Sequence, residues 1–284
     1  MKIAILADIH GNLTALQAAI ADLEAWSPDL VIVAGDIVNR GPDSGACLEL
    51  VLRMRAERGW QLIRGNHERY VLTYDQNRRR PDYPSSGPNY ELSRMTRWSH
   101  SQVAPWLETI RELPEQLRLD LGGETLAVYH ASLRHDRDGI TAESSDDELR
   151  EQIDTTATIF CVGHTHVPLT RRLDGTLVVN VGSVGLPFDG DTRLAYARLT
   201  RGRQGWQAQI VRVRYDVAAA AHRFVESGML EAVGAHAQLM LQELQTGRSL
   251  LFDFVPTYHE RVLAGAISLE EAVREYLGKL SRAA

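Results

Sequence analysis

"KIAILADIHGNLTALQAAIADLEAW", residues 2–26, begins as an apolar run and continues in a different rhythm. Residues 2–8 read as a short strand, whereas Leu13, Leu16, Ile20 and Leu23 recur at helical spacing. The same alternation returns in "DLVIVAGD" (29–36), then in a helix carrying Leu48, Val51 and Leu52 that stops at Gly59, and then in "WQLIRGN" (60–66). Strands this apolar, separated by amphipathic helices, predict βαβ units in a parallel sheet covered on both faces.

Working outward, the strand signal is lost from Glu68 to Leu117. "NRRRPDYPSSGPN" (77–89) reads as a loop, and Leu92, Met95, Val103, Trp106, Leu107 and Ile110 follow at near-helical spacing. Three hairpins are then expected: 117–130 around Gly122 and Gly123, 171–183 around Asp174 and Gly175, and 193–216. Parallel units first and hairpins later predict two packed sheets flanked by helices. After Asp216 the chain becomes rich in Ala, Glu and Leu at helical spacing, in 217–228, 229–247 and 268–280. The expected organisation is a domain over 1–215 with an inserted segment at 68–117, and a helical C-terminal appendage over 216–284.

Composition narrows the functional classes. At 284 residues, with 44% hydrophobic and 24% charged residues, the chain can bury a sizeable core. A net charge of −6 argues against stable nucleic-acid binding, "RRR" at 78–80 being a local exception. The first apolar stretch is too short for a signal-peptide core or a membrane span, so a cytoplasmic protein without membrane attachment is expected. Cys47 and Cys161 have no CxxC spacing and read as reduced core residues. Oligomeric state has no signal in the sequence.

The chemistry lies in the turns that follow the strands. Asp8 and His10 stand in "DIHGN", Asp36 in "GDIVNRGP", Asn66 and His67 in "GNHE", His130 in "YHAS", and His164 and His166 in "GHTH". The carboxyl ends of parallel strands form one rim, where residues distant in sequence meet and ligands bind. Any one of these residues has an ordinary alternative: a lone His is usually a satisfied structural residue, and Asp8 or Asp36 could cap a helix. Their recurrence at the ends of apolar runs outweighs those alternatives. Uncompensated carboxylates and imidazoles cluster at a cost unless something positive binds them. A mixed oxygen and nitrogen set without thiolate suits manganese, iron or zinc, and seven candidate ligands exceed the need of one tetrahedral ion. Two ions, able to clamp both oxygens of an in-line displacement at phosphorus, are therefore expected. An extended backbone would put His164 and His166 about 6 to 7 Å apart on one side of the strand, a span that feeds one ion or two.

Together "DIHGN", "GDIVNRGP", "GNHE", "YHAS" and "GHTH", in this order, resemble the calcineurin-like metallophosphoesterase superfamily over residues 1–183. The resemblance implies an αββα sandwich. It also implies that Asp8, His10 and His166 hold one ion, that Asn66, His130 and His164 hold the other, and that Asp36 bridges both. By the same resemblance, a hydroxide bridging the two divalent ions attacks phosphorus directly, His67 acts on the leaving oxygen, and Arg40 clamps the phosphate. The implied activity is hydrolysis of phosphomonoesters or phosphodiesters, on a small phosphorylated substrate such as a nucleotide. The alternatives are a protein Ser/Thr phosphatase or dinucleoside polyphosphate hydrolase, and a non-catalytic scaffold on the same fold.

Two residues depart from the family pattern. Protein phosphatases and symmetrical tetraphosphate hydrolases carry Asp where this chain has Asn39, and "NVGS" (180–183) stands where many small relatives have "NPGS". Asn180 and Ser183 are expected to shape the loop. In the inserted segment Tyr90, Arg94, Arg97 and His100 are candidates to face a substrate, against an ordinary helix that packs Met95 and Trp106 inward.

Overall fold

A computed structural model describes residues 1–283. β1 (Lys2–Leu6), β2 (Leu30–Val33) and β3 (Gln61–Leu62) run parallel, joined by α1 (Leu13–Trp26) and α2 (Ser44–Arg58). α3 (Asn66–Asn77), α4 (Pro88–Val103) and α5 (Leu107–Glu112) follow and lead into β4 (Gln116–Asp120) and β5 (Thr125–Tyr129). After α6 (Asp146–Gln152) come β6 (Ile159–Val162), β7 (Leu169–Leu173), β8 (Thr176–Asn180), β9 (Leu194–Gly202) and β10 (Gly205–Val213). The chain ends in α7 (Val217–Glu226), α8 (Met229–Val233), α9 (Ala235–Thr246), α10 (Leu251–Leu263) and α11 (Leu269–Ala283).

The strands form two five-stranded sheets, in the orders β10-β9-β1-β2-β3 and β4-β5-β6-β8-β7. Three consecutive strands of each sheet are parallel, β1-β2-β3 at one side of the first, where β9 joins β1 antiparallel, and β5-β6-β8 in the middle of the second, with antiparallel β4 and β7 at its two edges. Side chains alternate across each strand and so fill separate layers. Ile3, Ile5 and Ile32 meet Val128, Ile159, Cys161 and Val179 between the sheets. Ala4, Leu6 and Val33 turn the other way onto Leu16 of α1 and Leu48 and Val51 of α2. Ala127, Phe160 and Val162 turn outward onto Leu149 of α6. This is the expected αββα sandwich, and its rim gathers the carboxyl ends of both sets of parallel strands.

Local signals explain the boundaries. Asn12 caps α1 by accepting from Ala15 N at 3.0 Å, and Gly59 ends α2 at φ +71°. Asp174 and Gly175 both take positive φ, 48° and 92°, as a tight two-residue hairpin requires. Neither Asp8 nor Asp36 caps a helix, since Asn12 and Asp43 hold those positions. Cys47 and Cys161 are buried and free. The inserted segment is helical, with its last two residues already in β4.

Between 216 and 283 the helices number more than the periodicity indicated. Gly234 breaks one expected helix into α8 and α9, and α10 forms although Pro256 lies inside it. Phe224, Met229, Met240, Phe254, Tyr258 and Val273 make one apolar cluster. Leu92, Met95 and Trp98 of α4 and Phe188 from the β8–β9 connection pack against it. The C-terminal helices and the insertion therefore share a core beside the rim. Among the described residues no helix is long and apolar enough to cross a membrane.

Candidate metal centre

The rim is where the backbone is least relaxed. Among the described residues nine non-glycine residues have positive φ, and seven of them lie here: Asp8, His10, Asp36, Asn39, Arg40, His164 and His166. Each such residue costs on the order of 1 kcal/mol or more and persists only when surrounding structure holds it there. That bracing is visible. Ser183 Oγ donates to Asp8 O at 2.7 Å, and Asn180 Nδ2 donates to Gly163 O at 2.9 Å and Thr165 Oγ1 at 2.7 Å. Glu68, fully buried, accepts from the backbone N–H groups of Gly65, Asp36, Ile37 and Val38 at 2.7–3.1 Å. Its contact with Gly65 N is the return of a glutamate three residues into the helix to the N-cap backbone, without the Ser or Thr N-cap that would mark it in sequence. Gly65 and Gly163 are required by proximity, because a Cβ on either would overlap a carboxylate oxygen, of Asp36 and Asp8 respectively.

Asp8, His10 and His166 bring ligand atoms within 4.8 Å of one another, and so do Asp36, His130 and His164. Asn66 joins the second group, its Oδ1 2.9 Å from His130 Nε2 and 3.0 Å from His164 Nδ1. Asp36 Oδ2 stands between them, 3.2 Å from His130 Nε2 and 3.7 Å from His10 Nε2. The fold thus assembles all seven candidate ligands. The extended geometry expected for His164 and His166 does not occur: their φ values are 71° and 59°. The left-handed turns instead aim His164 at Asn66 through Nδ1 and His166 at Asp8 through Nε2, 3.3 Å away.

The donor chemistry fits cations. His166 Nδ1 meets Leu186 O at 2.5 Å and His130 Nδ1 meets Ala34 O at 2.8 Å, contacts that place a proton on Nδ1 and leave Nε2 turned into the cluster as a ligand atom. His10 Nε2 and His166 Nε2 face each other at 3.1 Å, and Asp8 Oδ1 is buried without a hydrogen-bond partner among the described residues. Burial disfavours charge on Asp8 and Asp36, yet the surrounding histidines more than offset it and hold both well below the usual carboxylate range. Burial also opposes charge on His130, but Asp36 and then Asp8 push its pKa up to about 10. Burial depresses His10, and His164 to about 4. The two ionised carboxylates, beside His10 and His164 held neutral, outnumber the single charged imidazole of His130 and leave negative charge for a cation to neutralise.

His67 is the second residue of α3, where its backbone N–H donates to Asp36 Oδ1 at 2.8 Å. Its Nε2 is 4.0 Å from Asp36 Oδ2, and its ring meets His10 and Tyr70 edge-on at 4.8 and 5.1 Å. Burial first, with His10 and Arg40 adding to it, drives its pKa well below 6.5 against the pull of Asp36. Asn39 forms no hydrogen bond with His67; its Oδ1 accepts from Arg40 N at 3.1 Å and Ser99 Oγ at 3.3 Å. Arg40 lies 5.5 Å over the ring of Phe188, which in turn stacks on His166 at 4.3 Å. A cleft of about 610 Å³ opens beside His130, lined by Arg64, Arg69, Tyr129, Ser132 and His135 among others.

The insertion supports the rim from behind. His100 pairs with buried Asp75 at 2.9 Å, Arg94 donates to Glu231 O and Ala232 O at the end of α8, and Arg97 covers Tyr90 at 4.5 Å. These four residues are occupied in packing, while Met95 and Trp106 face apolar clusters.

A two-sheet sandwich with a paired Asp, His and Asn cluster at its rim defines a class of metal-dependent phosphoesterases. Residues 1–202 match the family model of the calcineurin-like phosphoesterase superfamily domain, and the chain belongs to that family. It is 26% identical over 248 residues to an uncharacterized protein of Methanocaldococcus jannaschii, covering 82% of this chain and 95% of that one. It is 25% identical over 211 residues to serine/threonine-protein phosphatase 1 of Salmonella typhimurium, covering 67% of this chain and 89% of that one. The crystal structure of a metallophosphoesterase from Sphaerobacter thermophilus superposes with a TM-score of 0.67 at 28% identity, over 87% of this chain and 99% of that one.

Proposed function

We propose that the chain hydrolyses small phosphomonoesters or phosphodiesters at the rim, with Asp8, His10 and His166 holding one divalent ion, Asn66, His130 and His164 a second, and Asp36 shared between them. The observation that carries this reading is that Asp8, His10 and His166, and likewise Asp36, His130 and His164, bring ligand atoms within 4.8 Å of one another, while a third such group, His10, Asp36 and His67, links the two through Asp36. Manganese, iron or zinc held there would neutralise phosphoryl oxygens and acidify a water for direct attack on phosphorus. The chain's own part is to fix that arrangement and to add two groups beside it. Arg40 offers a guanidinium fork to phosphate oxygens, and His67 stands where it can hold a proton for the departing oxygen. Water then takes the place of the alcohol, and no phosphorylated side chain is formed.

The resemblance to the Salmonella phosphatase supports protein substrates as a second reading. Asn39 favours the first, since its Oδ1 accepts from Arg40 N and Ser99 Oγ and its neutral amide brings no charge to His67. Rates on nitrophenyl phosphate, its diester, a phosphopeptide, a dinucleoside tetraphosphate and a cyclic nucleotide, with each metal in turn, test the proposal. Hydrolysis of a small ester well above the peptide supports it. Failure to bind metal at micromolar ion concentrations would favour a scaffold role instead.

A further inference from the structure

One carboxylate of the C-terminal helices reaches the rim. Glu243 on α9 is fully buried, and its Oε1 accepts from Leu250 N at 2.8 Å and Leu251 N at 3.1 Å. Its Oε2 has no hydrogen-bond partner among the described residues, and Arg40 Nη1 lies 3.7 Å from it. A carboxylate shut away from water needs compensation, so an unpartnered oxygen facing a guanidinium indicates a charge pair built into the fold. Arg40 has complementary needs: its side chain is 11% exposed and its Nε is also unpartnered. The Phe188 ring covers the guanidinium 5.5 Å away. The turn that carries Arg40 is tied to the same helical region a second time, where Arg223 of α7 donates to both carboxylate oxygens of Asp43 at 2.6 and 3.2 Å.

We infer that Glu243 is a positioning residue for Arg40: from the C-terminal helices it holds the guanidinium in the orientation that binds the substrate's phosphoryl group. A long arginine side chain without such a partner would sample more rotamers, and fixing it beforehand removes that entropy from the binding step. The C-terminal helices thereby contribute to phosphate affinity without touching the phosphate. This inference rests on the phosphoesterase reading above.

The test is a double-mutant cycle in the full-length, manganese-loaded protein, reading the Kd of orthophosphate by calorimetry beside KM and kcat on nitrophenyl phosphate. Glu243→Gln keeps the acceptor for Leu250 and Leu251 but removes the charge from Arg40, and it is expected to weaken orthophosphate and raise KM by about tenfold with kcat changed less than about threefold. Arg40→Ala is expected to do at least as much, and adding Glu243→Gln to it to do nothing further. Glu243→Asp, which restores the charge, recovers part of the loss. Wild-type phosphate affinity in Glu243→Gln, or a full additional loss in the double variant, overturns the inference while leaving the phosphoesterase reading intact. A wild-type protein that binds metal but neither orthophosphate nor ester overturns both.

Discussion

The rim and the C-terminal helical region use buried residues in opposite ways. At the rim, Asp8, His10, Asp36 and His166 are buried with polar atoms crowded together and backbones in the left-handed region. In the helices, Phe224, Phe254 and Tyr258 are buried against one another in regular secondary structure. The first arrangement holds strain and charge for chemistry; the second supplies the apolar burial that stabilises its surroundings. Substitutions at the rim should therefore change activity more than stability, and substitutions in the helices the reverse, with Glu243 as the point where the two regions meet.

The largest effect is expected at the shared carboxylate. Asp36→Asn should lower kcat/KM by about 10⁴-fold, on the order of 5 kcal/mol, with bound metal falling below two ions per chain by elemental analysis. A variant with full rate and full metal would break the proposed division of the site. On the helical side, Phe254, 1% exposed and stacked on Tyr258 at 5.1 Å, is the counterpart. Phe254→Ala should cost about 4 kcal/mol in urea unfolding and leave kcat of the folded fraction close to wild type. A selective loss of kcat there would show that the helices take part in chemistry more broadly than through Glu243. His67→Ala comes next, with about 100-fold lower kcat, roughly 3 kcal/mol, and unchanged metal content. The deficit should be greatest for substrates with poor leaving groups, since those need a proton most.

The smallest effect concerns pH. His236 is buried in the helical cluster, and that burial, helped by His259, lowers its pKa to about 4. The folded-state pKa lies below the unfolded value of 6.5, so the stability from keeping this imidazole neutral is complete above pH 6.5 and declines as the pH falls toward 4. His236→Leu should remove this sensitivity. Between pH 7.5 and pH 5 its stability should fall by on the order of 2 kcal/mol less than wild type, measured by urea unfolding at each pH. Equal losses would place the acid sensitivity elsewhere.

The same contrast explains what could be read in advance. Each proposed ligand is a polar residue in the turn that ends an apolar run, and the topology of parallel strands brings such ends to one rim, so Asp8 and His166 could be placed together across 158 positions of chain. The two sheets were legible because buried strands and amphipathic helices have different periods. The backbone of the "GHTH" turn was not: an extended strand is the default for that spacing, and the left-handed φ of His164 and His166 occurs where Asn180 Nδ2 donates to Gly163 O and His164 N–H donates to Asp8 Oδ2, partners outside the motif. Glu243 had no local signal, since it sits in a helical pattern among other charged residues and acquires meaning only where α9 meets Arg40. Pro256 hid α10, because the interruption of the helical pattern says nothing of the tertiary packing that holds the helix together.

The proposed function requires two catalytic cations at the rim, joined through Asp36. Its most direct test is to titrate the chelator-treated protein with manganese while recording bound metal and the rate on nitrophenyl phosphate diester and monoester. Hydrolysis is expected to be absent without metal, to rise with occupancy and to reach its plateau at two ions per chain. A full rate in the metal-free protein, or a plateau at one ion with no second site, would contradict it.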